Sequence, residues 1–174
     1  MHTPARSSTD TDTSVAYDAF GAGAVGGSIV CLFFLGLDAI QGRMFFTPSL
    51  MGSVMFLGLP AQSVSEVRLD MVAYYTAVHF AVFGLLGAGV AVLLRQVELH
   101  AKHPIVMLAT IFGLLEVLFV FAAALMMPGV VSVVGAGRIA AANVLGATGM
   151  AAFLLAQHRP DLWQRVKHVV HLGA

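Results

Sequence analysis

The sequence predicts an all-α membrane protein: a four-transmembrane-helix bundle with a short outer interfacial helix and a C-terminal amphipathic helix. Three observations carry that prediction. Hydrophobic residues make up 59% of the 174-residue chain and charged residues only 10%, which is more apolar surface than a water-soluble domain of this size can hide. Four apolar runs each approach the roughly 20 residues that a helix needs to cross hydrocarbon. None of them alternates as a barrel strand does, and helices and closed barrels are the structures that satisfy their backbones in lipid.

The elements follow in chain order. Residues 1–16 are rich in Ser, Thr and Asp, show no apolar periodicity and are expected to form a disordered polar tail. Residues 17–157 are expected to form the transmembrane bundle. Its first run, Tyr17 to Ile40, is too long for a typical signal-peptide core and has no basic region directly before it, so it reads as a retained span. The connection "QGRMFFTPSLMGSVMFLGLPAQS" is apolar but too short to cross. Thr47 before Pro48 is a helix-start signal, a side-chain cap followed by a residue whose fixed φ suits the first turn, and Gly58 with Pro60 ends the piece. A short helix from Pro48 to Leu57 is expected, capping the bundle at its outer interface in preference to dipping back as a re-entrant gate. The remaining spans are expected at Leu69 to Leu94, Pro104 to Met127 and Ile139 to Gln157.

Residues 158–174 are expected to be amphipathic. In "RPDLWQRVKHVVHLGA", Leu162, Val166, Val169 and Val170 share one helical face, and Arg165, Lys167, His168 and His171 lie largely elsewhere. The piece suits the inner leaflet, with Trp163 near the headgroups, or a partner docked on the same face. Four spans put both termini and the loop between spans two and three on one side. Arg6, Arg95, Lys102, Arg159, Arg165 and Lys167 lie there, against Arg43, Arg68 and Arg138 on the other. That imbalance predicts cytoplasmic termini.

Small residues recur at helix-contact spacing: Gly23 with Gly27, Ala22 with Gly26, Gly84 with Ala88, and Ala142 with Gly146. Helices in lipid associate by close backbone approach and dispersion, which these positions permit within one chain or between chains. Cys31 is the single cysteine, so an intrachain disulfide is excluded and a small packed side chain is expected.

Ionisable groups inside a span are costly and face the bundle interior. His79 lies about 15 Å of helix rise from the outer end of span two, and Glu116 about 18 Å from the inner end of span three. Consecutive antiparallel helices usually neighbour one another, so a direct His79–Glu116 hydrogen bond is expected. Tyr75 and Thr76 lie one turn from His79, Asn143 lies in the outer half of span four, and Asp38 lies near the outer end of span one with Arg43 close behind. His79, Glu116, Tyr75, Asn143 and Asp38 thus form the candidate intramembrane polar site. It is either a hydrogen-bond network fixing helix register or a path for protons or solutes.

Other chemistries find little support. A six-coordinate b-type haem needs a second axial ligand beside His79, and no second histidine falls inside a span. The pairs in "HAKHP" and "HVVH" have no cysteine or carboxylate cluster to complete a metal site. Met126 and Met127 lack the methionine or histidine array of a copper site. No Ser/His/Asp grouping, phosphate loop or catalytic carboxylate pair occurs. The formal net charge of zero argues against a nucleic-acid partner.

The stretches "GRMFFTPSLMGSVMF", "YYTAVHFAVFGLLG" and "ANVLGATGMAAFLLAQHRP" together resemble a group of small bacterial four-span membrane proteins, over about residues 20 to 160. The resemblance implies a bacterial origin and brings no chemistry with it. The small extramembrane mass, the abundant small-residue faces and the lack of a complete catalytic set lead to the expectation of a non-enzymatic accessory or scaffold subunit of a larger complex in the bacterial inner (cytoplasmic) membrane. Its partners would be the lipid bilayer and other membrane proteins or copies of itself. The alternatives are a small proton-coupled or solute-conducting protein using His79 and Glu116, and a haem- or pigment-associated electron-transfer subunit. No cofactor is assigned.

Overall fold

The computed structural model describes residues 8–96 and 104–158, all of whose regular structure is helical. In chain order the elements are α1 (Ser8–Ile40), α2 (Phe46–Leu57), one 3-10 turn (Ala61–Ser63), α3 (Leu69–Gln96), α4 (Pro104–Met126), α5 (Val130–Val134) and α6 (Ala136–His158). Among the described residues, four helical segments are long and apolar enough to cross a membrane: Tyr17–Ile40, Leu69–Ala91, Ala109–Met126 and Ala136–Gln157. The chain is accordingly of the multi-pass membrane type. The amphipathic segment expected over residues 158–174 lies outside the described residues apart from its first position, as do His100 and His103.

Some boundaries differ from those the sequence predicts, each for a physical reason. Helix α1 begins at Ser8, inside the polar stretch expected to be disordered. Once a long apolar helix is nucleated, each added residue gains a hydrogen bond without repeating the nucleation cost, so the helix extends into polar sequence. Helix α5 is an addition to the expected elements. It is too short to show a period and is bracketed by Gly129 (φ 81°) and Gly135 (φ 95°), positive angles that glycine adopts without a Cβ clash. Its buried valines, Val130 and Val134, stand one turn apart.

Helix α2 begins at Phe46, not at Pro48, and Thr47 is not its cap. The residue before the helix, Phe45, is itself left-handed (φ 68°) and makes no side-chain capping bond. The capping oxygen comes from α1. Asp38 Oδ2 accepts from the Thr47 backbone N–H at 2.6 Å, and Asp38 Oδ1 accepts from the Thr47 hydroxyl at 2.7 Å. A carboxylate at a helix N-terminus satisfies an orphan donor and complements the helix dipole. Asp38 is buried, so these two bonds are also what permits a carboxylate there.

Helix α1 is the spine of the packing. It lies against α3 on one side and α6 on another, while α4 rests mainly on α6 and α2 mainly on α3. Glycines allow the close approaches. A Cβ at Gly23 would overlap the Phe83 carbonyl, and one at Gly87 would overlap the Ala19 carbonyl and stand 2.8 Å from the Gly23 nitrogen. On the α6 side, a Cβ at Gly26 would stand 2.7 Å from Met150 Sδ, and one at Gly146 would stand 2.8 Å from Val30 Cγ2. The spacing pairs Gly23/Gly27 and Ala22/Gly26 therefore serve two faces of one helix, and both faces meet helices of the same chain.

Two apolar cores result. One gathers Ala22, Val30, Phe83, Ile111, Met150 and Leu154 from α1, α3, α4 and α6. The other gathers Phe46, Leu50 and Val54 of α2 with Met127, Val130 and Ile139. Helix α2 is enclosed along most of its length, from Phe46 to Val54, before emerging at Phe56 and Leu57. Gly52 makes this possible, since a Cβ there would overlap the Met71 carbonyl of α3.

Candidate functional site: a cleft between α3 and α4

Helices α3 and α4 follow one another in sequence but touch only slightly. The space left between them is a cleft of about 310 Å³, walled by α3 and α4 with contributions from α1, α2 and α6. Most of its wall is apolar, including Phe34, Met51, Val82, Leu118 and Phe119. The polar side chains on the wall are Thr47, Tyr75, Thr76, His79 and Asn143, joined by the thiol-bearing Cys31. No Asp, Glu, Lys or Arg lines it.

His79 is half-buried and hydrogen-bonded across to α1: its Nε2 lies 2.9 Å from the Gly27 carbonyl oxygen. A carbonyl can only accept, so Nε2 carries the proton and donates. Gly27 contributes more than its carbonyl. A Cβ there would stand 3.2 Å from Phe83 and 3.3 Å from Phe80, the two rings that flank the imidazole. His79 meets Phe80 edge-on at 5.3 Å between centroids and Phe83 at 4.7 Å, and Tyr75 lies 6.0 Å away on its other side. The imidazole is thus fixed by one directed bond and three rings.

Glu116 belongs to a different pair. Asn143 Nδ2 of α6 donates to Glu116 Oε1 at 3.2 Å. The hydrogen bond expected between His79 and Glu116 is not formed; each group has its own partner. The reason is the packing order. The expectation takes consecutive helices as neighbours, but α3 is drawn onto α1 by the glycine seam and α4 onto α6, which separates the two polar groups. Asp38 is likewise occupied with Thr47 of α2. Arg43 stacks over the Phe46 ring at 4.0 Å and donates to Gln41. Of the five candidate site residues, the structure therefore brings Tyr75, His79 and Asn143 to one cleft. It places Glu116 behind Asn143, and Asp38 beside the cleft through Thr47.

Sequence reasoning misses two contributors, Gly27 as the acceptor for His79 and Thr47 as the partner of Asp38. The first has a usable signal: a histidine inside a span needs a partner, and a glycine at a helix-contact position exposes its carbonyl to the facing helix. No group of three or more His, Cys, Asp or Glu suited to a metal ion occurs among the described residues. With Nε2 engaged by a carbonyl, His79 is also poorly disposed as an axial haem ligand through that nitrogen. Comparison with protein-family models, with curated proteins and with solved structures finds no match.

Proposed function

We propose that this chain is a non-enzymatic protein of the bacterial inner membrane, with both termini cytoplasmic, that serves as an accessory or scaffold subunit of a larger membrane complex. In this reading its long helices form a four-helix transmembrane bundle with α2 at the outer end. The observation that carries it is the one-sided anchoring of α4. This helix is held mainly by α6, and it turns Val117, Val120, Phe121 and Leu125 outward as one exposed apolar face. Gly113 lends further support, because a Cβ at that position would meet nothing within 4 Å. Glycine weakens a helix interior, yet among the described residues none stands where a side chain at Gly113 would begin; a close approach by a second membrane protein gives it a use.

The conducting alternative has weaker support. His79 and Glu116 bond to different groups, and the cleft beside them is mostly apolar. A water or proton path needs consecutive polar partners.

The test is purification of the full chain from its own membrane in mild detergent. The expected result is a discrete assembly in which a second membrane protein is present at fixed stoichiometry, with Val120→Lys abolishing that association while the chain remains inserted. A homogeneous species containing this chain alone, unaffected by the substitution, would overturn the reading.

A further inference from the structure

We propose that the cleft between α3 and α4 is a binding site for a neutral, hydroxyl-bearing lipophilic molecule taken up from the membrane, with His79 and Tyr75 holding its hydroxyl. The inference is separate from the accessory-subunit reading, since it requires nothing of a partner.

The first support is the state of the polar groups on the wall. The Nε2 of His79 is committed to Gly27. Its Nδ1 and the Tyr75 hydroxyl have no hydrogen-bond partner among the described residues, and neither residue is fully buried. Among the described residues, the polar side-chain atom that is both sealed from the surface and unpartnered is Ser53 Oγ, in α2. The free nitrogen and the free hydroxyl are therefore not sealed, and the open space that both residues line is the cleft. In an apolar setting an unpaired polar group is expensive, so these two groups favour an occupant that completes their bonds.

The required chemistry follows from the donor and acceptor count. With the proton on Nε2, the uncharged imidazole offers Nδ1 as an acceptor. A hydrocarbon leaves it unpaired, and so does a ligand whose polar group is a carbonyl alone. A single hydroxyl serves both groups, donating to Nδ1 and accepting from Tyr75. The ring centroids of Tyr75 and His79 are 6.0 Å apart, and both residues line the same cleft. Charge gives the next restriction. The wall holds no Asp, Glu, Lys or Arg, so a phosphate, carboxylate or ammonium headgroup would be buried without a counter-ion. A volume of about 310 Å³ lies at the small end of ligand pockets, which run from about 300 to 1,000 Å³. It suits a ring or a short chain better than a whole lipid.

The experiment uses the full chain in nanodiscs and two probes, 4-octylphenol and its methyl ether 4-octylanisole. They share the aromatic ring and the octyl chain; the ether carries one extra methyl on its oxygen, which adds apolar area, and only the phenol can donate. Isothermal titration should show saturable one-to-one binding of the phenol, with the ether weaker by about tenfold, the value of one hydrogen bond. His79→Leu should bring the phenol down to the level of the ether, and Tyr75→Phe should weaken the phenol by a smaller factor. Val82→Trp, which fills the cleft and spares both polar groups, should abolish binding of both probes. Equal affinity for the two probes would overturn the proposal, and that comparison needs no variant. Non-saturable uptake of both probes, discrimination that survives His79→Leu, or undiminished binding by a folded Val82→Trp protein would overturn it as well.

Discussion

The two sides of α3 differ sharply in how they are packed. Toward α1, backbone meets backbone: Gly23 and Gly87 allow approaches that no Cβ would fit. Toward α4, the same helix faces a cleft of about 310 Å³, although α4 is its next long neighbour in sequence. Chain order therefore does not decide which helices associate. Without a strong hydrophobic drive between helices in lipid, the surfaces that admit the most atoms to contact distance win. Both α3 and α6 present small residues to α1, so they meet it at close range. The α3 residues that line the cleft include Tyr75, Thr76 and His79, side chains larger than the glycines of the seam.

The largest break in this comparison comes from filling the tight side. Gly87→Val should unfold the protein or destabilise it by about 3 kcal/mol, the upper end of overpacking costs, because the obstruction is the backbone of α1 and not a movable side chain. Gly23→Val should act similarly. Thermal unfolding in detergent, followed by far-UV circular dichroism, is the check. If either variant melts with the wild type, α1 and α3 are not in backbone contact.

A middle-sized effect is expected where α1 holds α2. Asp38→Ala removes both bonds to Thr47 and leaves the first turn of α2 with an orphan donor. Loss of a cap costs about 1–2 kcal/mol. The loss should be local, with amide exchange in α2 accelerating more than exchange in α3. Asp38→Asn should recover part of it, since an amide oxygen still accepts. Equal exchange across both helices in Asp38→Ala would mean that α2 is not held through this carboxylate.

Much of the helix layout is legible in the sequence, because an apolar run near 20 residues long has few other readings. The end of α1 at Ile40 and both ends of α4, expected at Pro104 and Met127 and found at Pro104 and Met126, can be bounded almost to the residue, whereas the start of α1 at Ser8 cannot. The pairing of polar groups is less legible. Depth along the chain places His79 and Glu116 relative to their own helices. It holds no information on which faces meet, and the His79 partner is a backbone carbonyl, which every residue carries alike. Asp38 shows the same limit. Its carboxylate caps a helix that begins after a left-handed Phe45, a conformation uncommon for a bulky residue and without a composition signal. The C-terminal segment and the loop histidines fall outside the described residues.

A double-mutant cycle sharpens the comparison at the polar groups. Glu116 and Asn143 share a hydrogen bond, so Glu116→Leu and Asn143→Leu should be non-additive, with a coupling of about 1 kcal/mol. His79 and Glu116 share no partner, so His79→Leu with Glu116→Leu should add to within about 0.5 kcal/mol. Coupling in the second cycle as large as in the first would place the histidine and the carboxylate in one network and revive the conducting reading.

The smallest effect is expected at glycines where an added Cβ would meet no described residue, and it separates the packing of this chain from any packing with a partner. Gly36 of α1 and Gly113 of α4 have open space where a Cβ would stand. Within the isolated chain, Gly36→Ala and Gly113→Ala should be neutral or stabilising by up to about 1 kcal/mol, because alanine loses less backbone entropy in a helix. That contrasts with the tight seam, where the same added carbon collides with a carbonyl. The accessory-subunit reading gives Gly113 a second expectation. If a partner helix lies close to α4, Gly113→Ile should leave the melting of the purified chain nearly unchanged while weakening recovery of the assembly in mild detergent. An assembly indifferent to Gly113→Ile would rule out close approach of a partner at this point of α4. A purified chain destabilised by Gly113→Ala would show that α4 is packed more tightly within the molecule than the open cleft implies.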